Sequence, residues 1–447
     1  MRISIRNRDS LVRGHTHSVE RRLCLRAIEA GMNAVEPREL MRRRLKVESG
    51  ILRVDGLRYD LGSFRNILVV GAGKASGAMA EAIEALLPVS SGAVCVPRGT
   101  EADFSTRAIR LISAGHPKPD SGSVIGGRQV LDIVRDAKPG DLVICLFSGG
   151  GSALMELPAE GVSLADMQRI SISLMKKGAD IRELNAVRKH LSRIKGGRLA
   201  QACRGKMLSL LISDVVRSPL DAIASGPTVP DRTTFATAKR VLQKRKLWDA
   251  DFRDPVCGHI ERGARGRIEE TPKKLSNSDA VLLADNNTAV NAAVAFLASK
   301  GFKPRVLRNV EGEARVVGRK LALLLNRHSC FVAGGETTVT VKGAGKGGRN
   351  QELALASALY LKRGALASAG TDGIDGSSSA AGGIVDANTM MHCSEDACAG
   401  RSIVEAYLEE NDSNSFFEKF GGAITTGWTG TNVCDLCVGV AHPHSEK

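Results

Sequence analysis

Gly71-Ala-Gly-Lys-Ala-Ser-Gly77 directly follows the apolar run Ile67-Leu-Val-Val70, and Ser148-Gly-Gly-Gly-Ser152 directly follows Leu142–Phe147. A glycine-rich turn between a strand and a helix can offer an anion its backbone N–H groups and the positive end of the helix dipole. In the first turn Gly71 and Gly73 would let the backbone approach a ligand, and Lys74 adds a mobile point charge. A plain strand–helix connection accounts for these residues about as well. The turn fails the P-loop pattern, because residue 69 is Val and Lys74 is followed by Ala, but it fits G-x-G-x-x-x-G. A dinucleotide reading lacks the acid expected at the end of the next strand, near Val94–Val96. In the second turn Gly149, Gly150 and Gly151 stand between Ser148 and Ser152, where a bare turn needs one glycine. That pattern describes a cradle for phosphate or carboxylate, with close packing as the plainer alternative.

Charged residues sit near these turns in sequence. Arg182 to Arg198 holds six Lys or Arg and one acid, Glu183. A solvated helix explains this stretch, and so does an anion site in which Arg188 or Lys189 faces a substrate. His190 is a candidate base, or a structural helix histidine. Asp214 ends the run Met207–Ser213, where a carboxylate can take a proton from a substrate hydroxyl, bind Mg²⁺ or cap a turn. In Gly347-Gly-Arg-Asn-Gln-Glu352, Arg349 can fork onto a phosphate at the start of a helix opening near Asn350, itself a candidate for phosphate or substrate binding. In Gly370-Thr-Asp-Gly-Ile-Asp-Gly376, Asp372 and Asp375 are candidate metal ligands, though Asp-Gly pairs also form simple turns.

Apolar periodicity supplies the elements that must position these groups. Helical character runs from Ser18 to Arg44 with breaks near Gly31 and Pro37. Strands are expected at Ile67–Val70, Ala93–Val96, Ile109–Ser113, Leu142–Phe147 and Met207–Ser213. Helices are expected after Gly77, over 121–136, 164–178 and 197–203. Strand–helix alternation with glycine or polar loops at strand C-termini is the pattern of a doubly wound parallel sheet. Residues 246–279 are polar and basic and read as a linker or peripheral segment. A second α/β region follows, with strands from Val281–Ala284, Cys330–Ala333, Thr337–Lys342 and Leu366–Ala369, and helices near 287–299, 313–326 and 350–362. The expected organisation is a Rossmann-like domain at 1–245, a linker at 246–279 and a mixed α/β domain at 280–447.

The 447 residues carry 63 Lys+Arg against 48 Asp+Glu, a net charge of +15. With 11 Phe, 3 Tyr and 2 Trp, no basic patch is interleaved with aromatics, which argues against nucleic acid and for a small anionic substrate. No window approaches the roughly 18 apolar residues of a membrane span. The Arg-rich beginning lacks the apolar core of a secretory signal, although a mitochondrial transit peptide shares its composition. Ten cysteines lie mostly inside apolar runs, as expected of buried thiols in a reducing cytoplasm. Cys434 and Cys437, with Cys393 and Cys398, have a spacing that permits zinc.

From Ile67 to Val440 the chain resembles the glycerate 2-kinases with a MOFRL C-terminal domain. The resemblance is carried in order by Gly71–Lys74, Gly115-His-Pro117, Ser148–Ser152, Asn185–Arg198, Ser213-Asp-Val-Val216, Ala224-Ser-Gly-Pro-Thr228, Gly334-Gly-Glu-Thr337, Gly347–Glu352, Gly370–Gly376 and Thr429-Gly-Thr-Asn432. It implies two α/β domains with the active site in the cleft, ATP-dependent phosphorylation of D-glycerate to 2-phosphoglycerate, and Mg²⁺ or another divalent cation. It also implies that Lys74, Asp214 and Arg349 act on the transferred phosphoryl group. A cytoplasmic monomer or homodimer is expected. The chain departs from the family at Ser377-Ser-Ser379, Trp428 and Arg217-Ser218. Two rivals remain: an NAD(P)-dependent hydroxypyruvate reductase, a label that members of this family have also carried, and a non-enzymatic sensor of an anionic metabolite.

Overall fold

A computed structural model describes residues 2–215, 217, 219–249 and 254–442. Val216 and Ser218 of the sequence motifs, and residues 250–253 of the expected linker, lie outside them. The chain forms two compact units, one of residues 37–283 and one joining residues 1–36 to 284–447.

The first unit is built on a six-stranded sheet in the order Ile109–Ala114, Ser91–Pro97, Ile67–Ala72, Leu142–Phe147, Lys206–Ile212, Ser278–Ala284. The pairings among the first five strands are parallel. Numbered along the chain this is the order 3-2-1-4-5-6, the doubly wound arrangement anticipated from the alternation. All six residues of Leu142–Phe147 are buried, which is why this strand is a continuous apolar run rather than an alternating one. Strand order reverses between Ile67–Ala72 and Leu142–Phe147, so the two glycine turns emerge side by side at the switch point, where ligands of such sheets bind. The helix Ser121–Asp136 begins where expected, with Asp120 and Ser123 forming a reciprocal cap.

The segment 246–279 is not a detached linker. Its helix Pro255–Ala264 buries Val256, Cys257 and Ile260 against Met167, Leu174, Phe235 and Leu242. The strand Ser278–Ala284, expected to open the second domain, completes the first sheet instead. A small antiparallel sheet, Lys46–Glu48, Ile51–Val54 and Leu57–Asp60, had no counterpart in the sequence reading.

The second unit has a mixed sheet in the order Arg305–Glu313, Cys330–Thr338, Asp435–Val440, Ala365–Gly370, Gly382–Asp386, Ala423–Ile424. One continuous strand, Cys330–Thr338, replaces the two expected at 330–333 and 337–342. Side chains alternate between its faces as a period of two requires. Val332, Ala367 and Val438 join one core, while Phe331, Leu366 and Cys437 join the other. The first core is closed by the N-terminal helix Ser18–Ala34 through Cys24, Leu25, Ile28 and Met32, which places residues 1–36 outside the expected N-terminal domain. Gly31 does not break this helix. A side chain there would collide with Leu436 and the Ala289 carbonyl, so glycine permits the packing.

Candidate active site

At the switch point the two turns are laced together. Gly73 N donates to Cys95 O at 3.2 Å, Lys74 N to Gly149 O at 2.8 Å and Ser76 N to Gly73 O at 3.2 Å. Ala75 N donates to Ser148 Oγ at 2.9 Å. The N–H groups of residues 73–76 are therefore consumed inside the protein, and the Gly71–Gly77 turn does not present them to an anion. Gly73, with φ near +149°, is needed because Ser148 fills the space of a side chain. Gly71 lies in the strand against Leu146. Assigning these two glycines to ligand binding is thus corrected: their demand is loop-to-loop contact.

The second turn is different. Ser148 N is bonded to Ala72 O and Gly151 N to Ser148 O. Among the described residues the N–H groups of Gly149, Gly150 and Ser152 meet no acceptor. Successive N–H groups of this kind form an anion nest. Three side chains border the turn. A methyl group on Gly149 would fall within 2.5 Å of the Asp214 carboxylate. One on Gly150 would lie 2.8 Å from the His116 ring and 3.5 Å from Lys74 Cγ. Lys74, Asp214 and the turn therefore stand close together. His116, overlooked as a site residue, joins them from the Gly115-His-Pro117 motif.

Beneath the turn lies a buried polar network. Ser152 Oγ meets Ser225 Oγ at 2.8 Å, and Ser225 donates to Asn185 Oδ1 at 3.1 Å. Ala224 and Ser225 have φ of 50° and 61°, a strained pair held by this network. Lys195 is fully buried and ion-paired with Glu156, and its Nζ donates to Ser152 O at 2.7 Å. Burial pulls the Lys195 ammonium down to about 8, with Glu156 opposing. Arg188 is half-buried, and its guanidinium has no hydrogen bond or ion pair among the described residues. Burial lowers its pKa, and the charge of Glu156 counters this. A guanidinium in that condition has all its donors left for an anion.

The neighbouring candidates are corrected. Lys189 is buried and bridges Asp221 at 3.0 Å and Asp231 at 3.2 Å, so two carboxylates already neutralise it. His190 has both ring nitrogens engaged, with Ala186 O at 2.7 Å and Glu270 Oε1 at 2.8 Å, and is not placed as a base.

In the second unit, Gly335, Gly370 and Asp435 stand in register at one end of three interior strands. Arg349 starts the helix Arg349–Ala358. Its Nε and Nη2 take Asp435 bidentately at 2.6 and 3.0 Å, and its Nη1 takes Glu336 at 2.6 Å. Burial opposes the charge, but Asp435 and Glu336 hold the guanidinium above its usual range. The fork expected to grip phosphate is occupied by carboxylates, leaving two of five N–H groups. Asn350 is equally committed: its amide donates to Asp375 and Asp435 and accepts from Ser368 Oγ at 2.6 Å. It positions acids rather than facing a ligand.

Asp375 caps that helix, accepting from Asn350 N at 3.0 Å and Gln351 N at 2.8 Å. Burial raises its carboxyl to about 7 against these bonds. It is not available as a metal ligand, and Asp372 is left without it. Among the described residues only His15, Asp386 and His392 place three potential ligand atoms together, and Arg21 already pairs with Asp386 at 2.8 Å. The cysteines do not assemble a zinc site: Cys434 and Cys437 are buried, Cys398 is exposed, and all ten are free. Glu336 is partly exposed, with Oε1 held by Arg349 and Oε2 approached by Cys434 Sγ at 3.9 Å. Mg²⁺ carried on phosphates needs only one or two such carboxylates.

Residues 23–261 match a domain of unknown function (DUF4147), and residues 329–435 match the MOFRL family. The chain is 39% identical to a glycerate 2-kinase of Pyrococcus horikoshii over 94% of its own length and 97% of the relative's. It is 38% identical to a putative hydroxypyruvate reductase of Agrobacterium vitis over 83% of its length and 97% of that protein's. The crystal structure of the Thermotoga maritima glycerate kinase superposes with a TM-score of 0.82 at 35% identity, covering 95% of this chain and 100% of that one. The ordered motifs, the 3-2-1-4-5-6 sheet and these likenesses agree, and the chain belongs to the glycerate 2-kinase family with a MOFRL domain.

Proposed function

We propose that this protein transfers the γ-phosphoryl group of ATP to the 2-hydroxyl of D-glycerate, giving 2-phosphoglycerate and ADP. The observation that carries the proposal is the convergence of Asp214, Lys74 and His116 on a turn with unbonded N–H groups, in a chain of this family. Asp214 accepts the hydroxyl proton as the oxygen–phosphorus bond forms and the bond to ADP breaks. Lys74 offsets charge on the transferring group, and the Gly149–Ser152 N–H groups with Arg188 hold a carboxylate or phosphate. Arg349 keeps its expected charge role through its two remaining donors, and it orients Glu336 and Asp435. Glu336 is the residue that would hold Mg²⁺, whose chemistry is to neutralise phosphate oxygens. We place the enzyme in the cytoplasm as a monomer or homodimer. Among the described residues no helix is long and apolar enough to cross a membrane.

The reductase reading draws on the Rossmann-type strand order and on the Agrobacterium vitis relative's name. Against it, the N–H groups of residues 73–76, which a dinucleotide pyrophosphate would use, are already bonded. The test is purified protein with D-glycerate, ATP and Mg²⁺, products read by ³¹P NMR. A 2-phosphoglycerate resonance is expected. A 3-phosphoglycerate resonance would keep the kinase and move the substrate. NADH oxidation on hydroxypyruvate with neither phosphate ester would overturn the proposal.

A further inference from the structure

The first unit contains an open cavity of about 1290 Å³ that shares none of the residues placed around the Gly149–Gly150 turn. Its charged lining is Arg135, Arg193, Arg198 and Arg262 against Glu160 and Glu269. Glu269 is engaged by Gln201 Nε2 at 2.6 Å, and its carbonyl accepts from Arg198 at 2.8 Å. None of the four arginines forms an ion pair among the described residues. Glu270, Glu269 and Asp231 offset Arg198, but four guanidinium groups against two lining carboxylates leave the concavity net positive and suited to an anion. Arginine rather than lysine at all four positions suits bidentate contact with phosphate oxygens.

A second, independent feature marks the same cavity. His259 lines it and is only 5% exposed; the backbone of His190 and Glu160 approaches its ring, yet Nδ1 makes no hydrogen bond of good geometry among the described residues. A buried ring nitrogen without a partner costs free energy unless something else supplies the bond. Burial, with Arg262 nearby, lowers the His259 pKa to about 4, so at neutral pH its ring is a neutral donor–acceptor rather than a fifth cation. Leu131, Ala159, Ala202 and Ile268 complete an apolar wall. Arginines beside an apolar wall and a neutral polar group suit a ligand with an anionic end and a carbon body.

We propose that this cavity is a binding site for a small organic phosphate, separate from the site of phosphoryl transfer. The phosphate lies among Arg193, Arg198 and Arg262, and the body rests on Leu131 and Ile268 within reach of His259. A nucleoside monophosphate and a sugar phosphate share this chemistry.

The experiment is titration calorimetry of the full chain with pyrophosphate, AMP and a hexose monophosphate. It is run on the wild type, on Arg193→Gln/Arg262→Gln, and on Lys74→Ala. Both arginines are exposed, so their replacement spares the core, and circular dichroism and glycerate turnover check this. Saturable binding of AMP or the hexose phosphate, tighter than pyrophosphate, is expected in the wild type and in Lys74→Ala. In the double variant it falls by about tenfold or more. Whichever organic phosphate binds tighter identifies the body. No binding, binding lost in Lys74→Ala and kept in the double variant, or pyrophosphate matching both organic ligands would each overturn the proposal. Glycerate turnover stands apart from all of these outcomes, so failure here is distinguishable from failure of the kinase assignment.

Discussion

Gly149→Ala tests whether Asp214 is positioned by the turn it touches. The substitution adds one methyl group. At Gly149 that methyl would fall within 2.5 Å of Asp214 Oδ2 and Cγ and 3.1 Å from its Cβ, whereas ordinary van der Waals contact begins at 3.4 Å. The carboxylate must therefore retreat by about 1 Å, and displacement of a reacting group on that scale costs on the order of a hundredfold in rate. Stability should change little, because loss of unfolded-state entropy favours alanine by about 0.4–1 kcal/mol and offsets part of the crowding. The assay is glycerate-dependent ADP release, with the thermal midpoint as control. A double-mutant cycle isolates the cause. If the methyl acts through the carboxylate, Gly149→Ala in an Asp214→Asn background costs almost nothing further. Near-normal kcat in Gly149→Ala, or a full additional penalty on top of Asp214→Asn, would refute the placement of Asp214.

Arg188→Ala should raise KM for the anionic substrate by about tenfold or more with a smaller change in kcat. Lys189→Ala should instead lower the thermal midpoint, because Asp231 is left buried and unpaired. Arg349→Ala should lower kcat on the order of a hundredfold, and unchanged turnover would remove it from the mechanism. Asp375→Ala removes the cap from the helix that carries Arg349 and should cost about 1–2 kcal/mol by denaturant titration. For pH, burial alone would raise Glu270, but His190 and the N–H groups of Phe235 and Thr271 outweigh it and hold the carboxyl at about 2. A depressed carboxyl stabilises the fold above its unfolded value of 4.5, and that contribution is lost as pH falls toward 2. Glu270→Gln should therefore flatten the acid limb of stability against pH over that window.

The residues that were legible in sequence are those whose signal is local. The continuous apolar run Leu142–Phe147 marks its strand without help from the rest of the chain. Strand–helix alternation anticipated the doubly wound sheet, and the Ser148–Ser152 turn, Lys74 and Asp214, each singled out by residue type, lie close together in the structure. His116 was quoted only as part of a motif, since an exposed histidine in a loop has no periodicity to reveal its neighbours.

What the sequence by itself determined was residue type and local conformation: where chains turn, which faces are apolar, which groups can carry charge. Only the tertiary structure decided which of those groups are already spent. Arg188 and Lys189 are adjacent and equally basic, yet Asp221 and Asp231 reach one and not the other. Two N–H groups of the first glycine turn, those of Lys74 and Ala75, are taken up by the second, in which Gly149, Gly150 and Ser152 keep theirs unbonded. The N-terminal helix covers a sheet some 300 residues away in sequence because that face would otherwise expose Val332, Ala367 and Val438. Hydrogen bonds and ion pairs saturate, and saturation depends on partners distant in the chain, so which groups remain open to a ligand is decided only when those partners are in place.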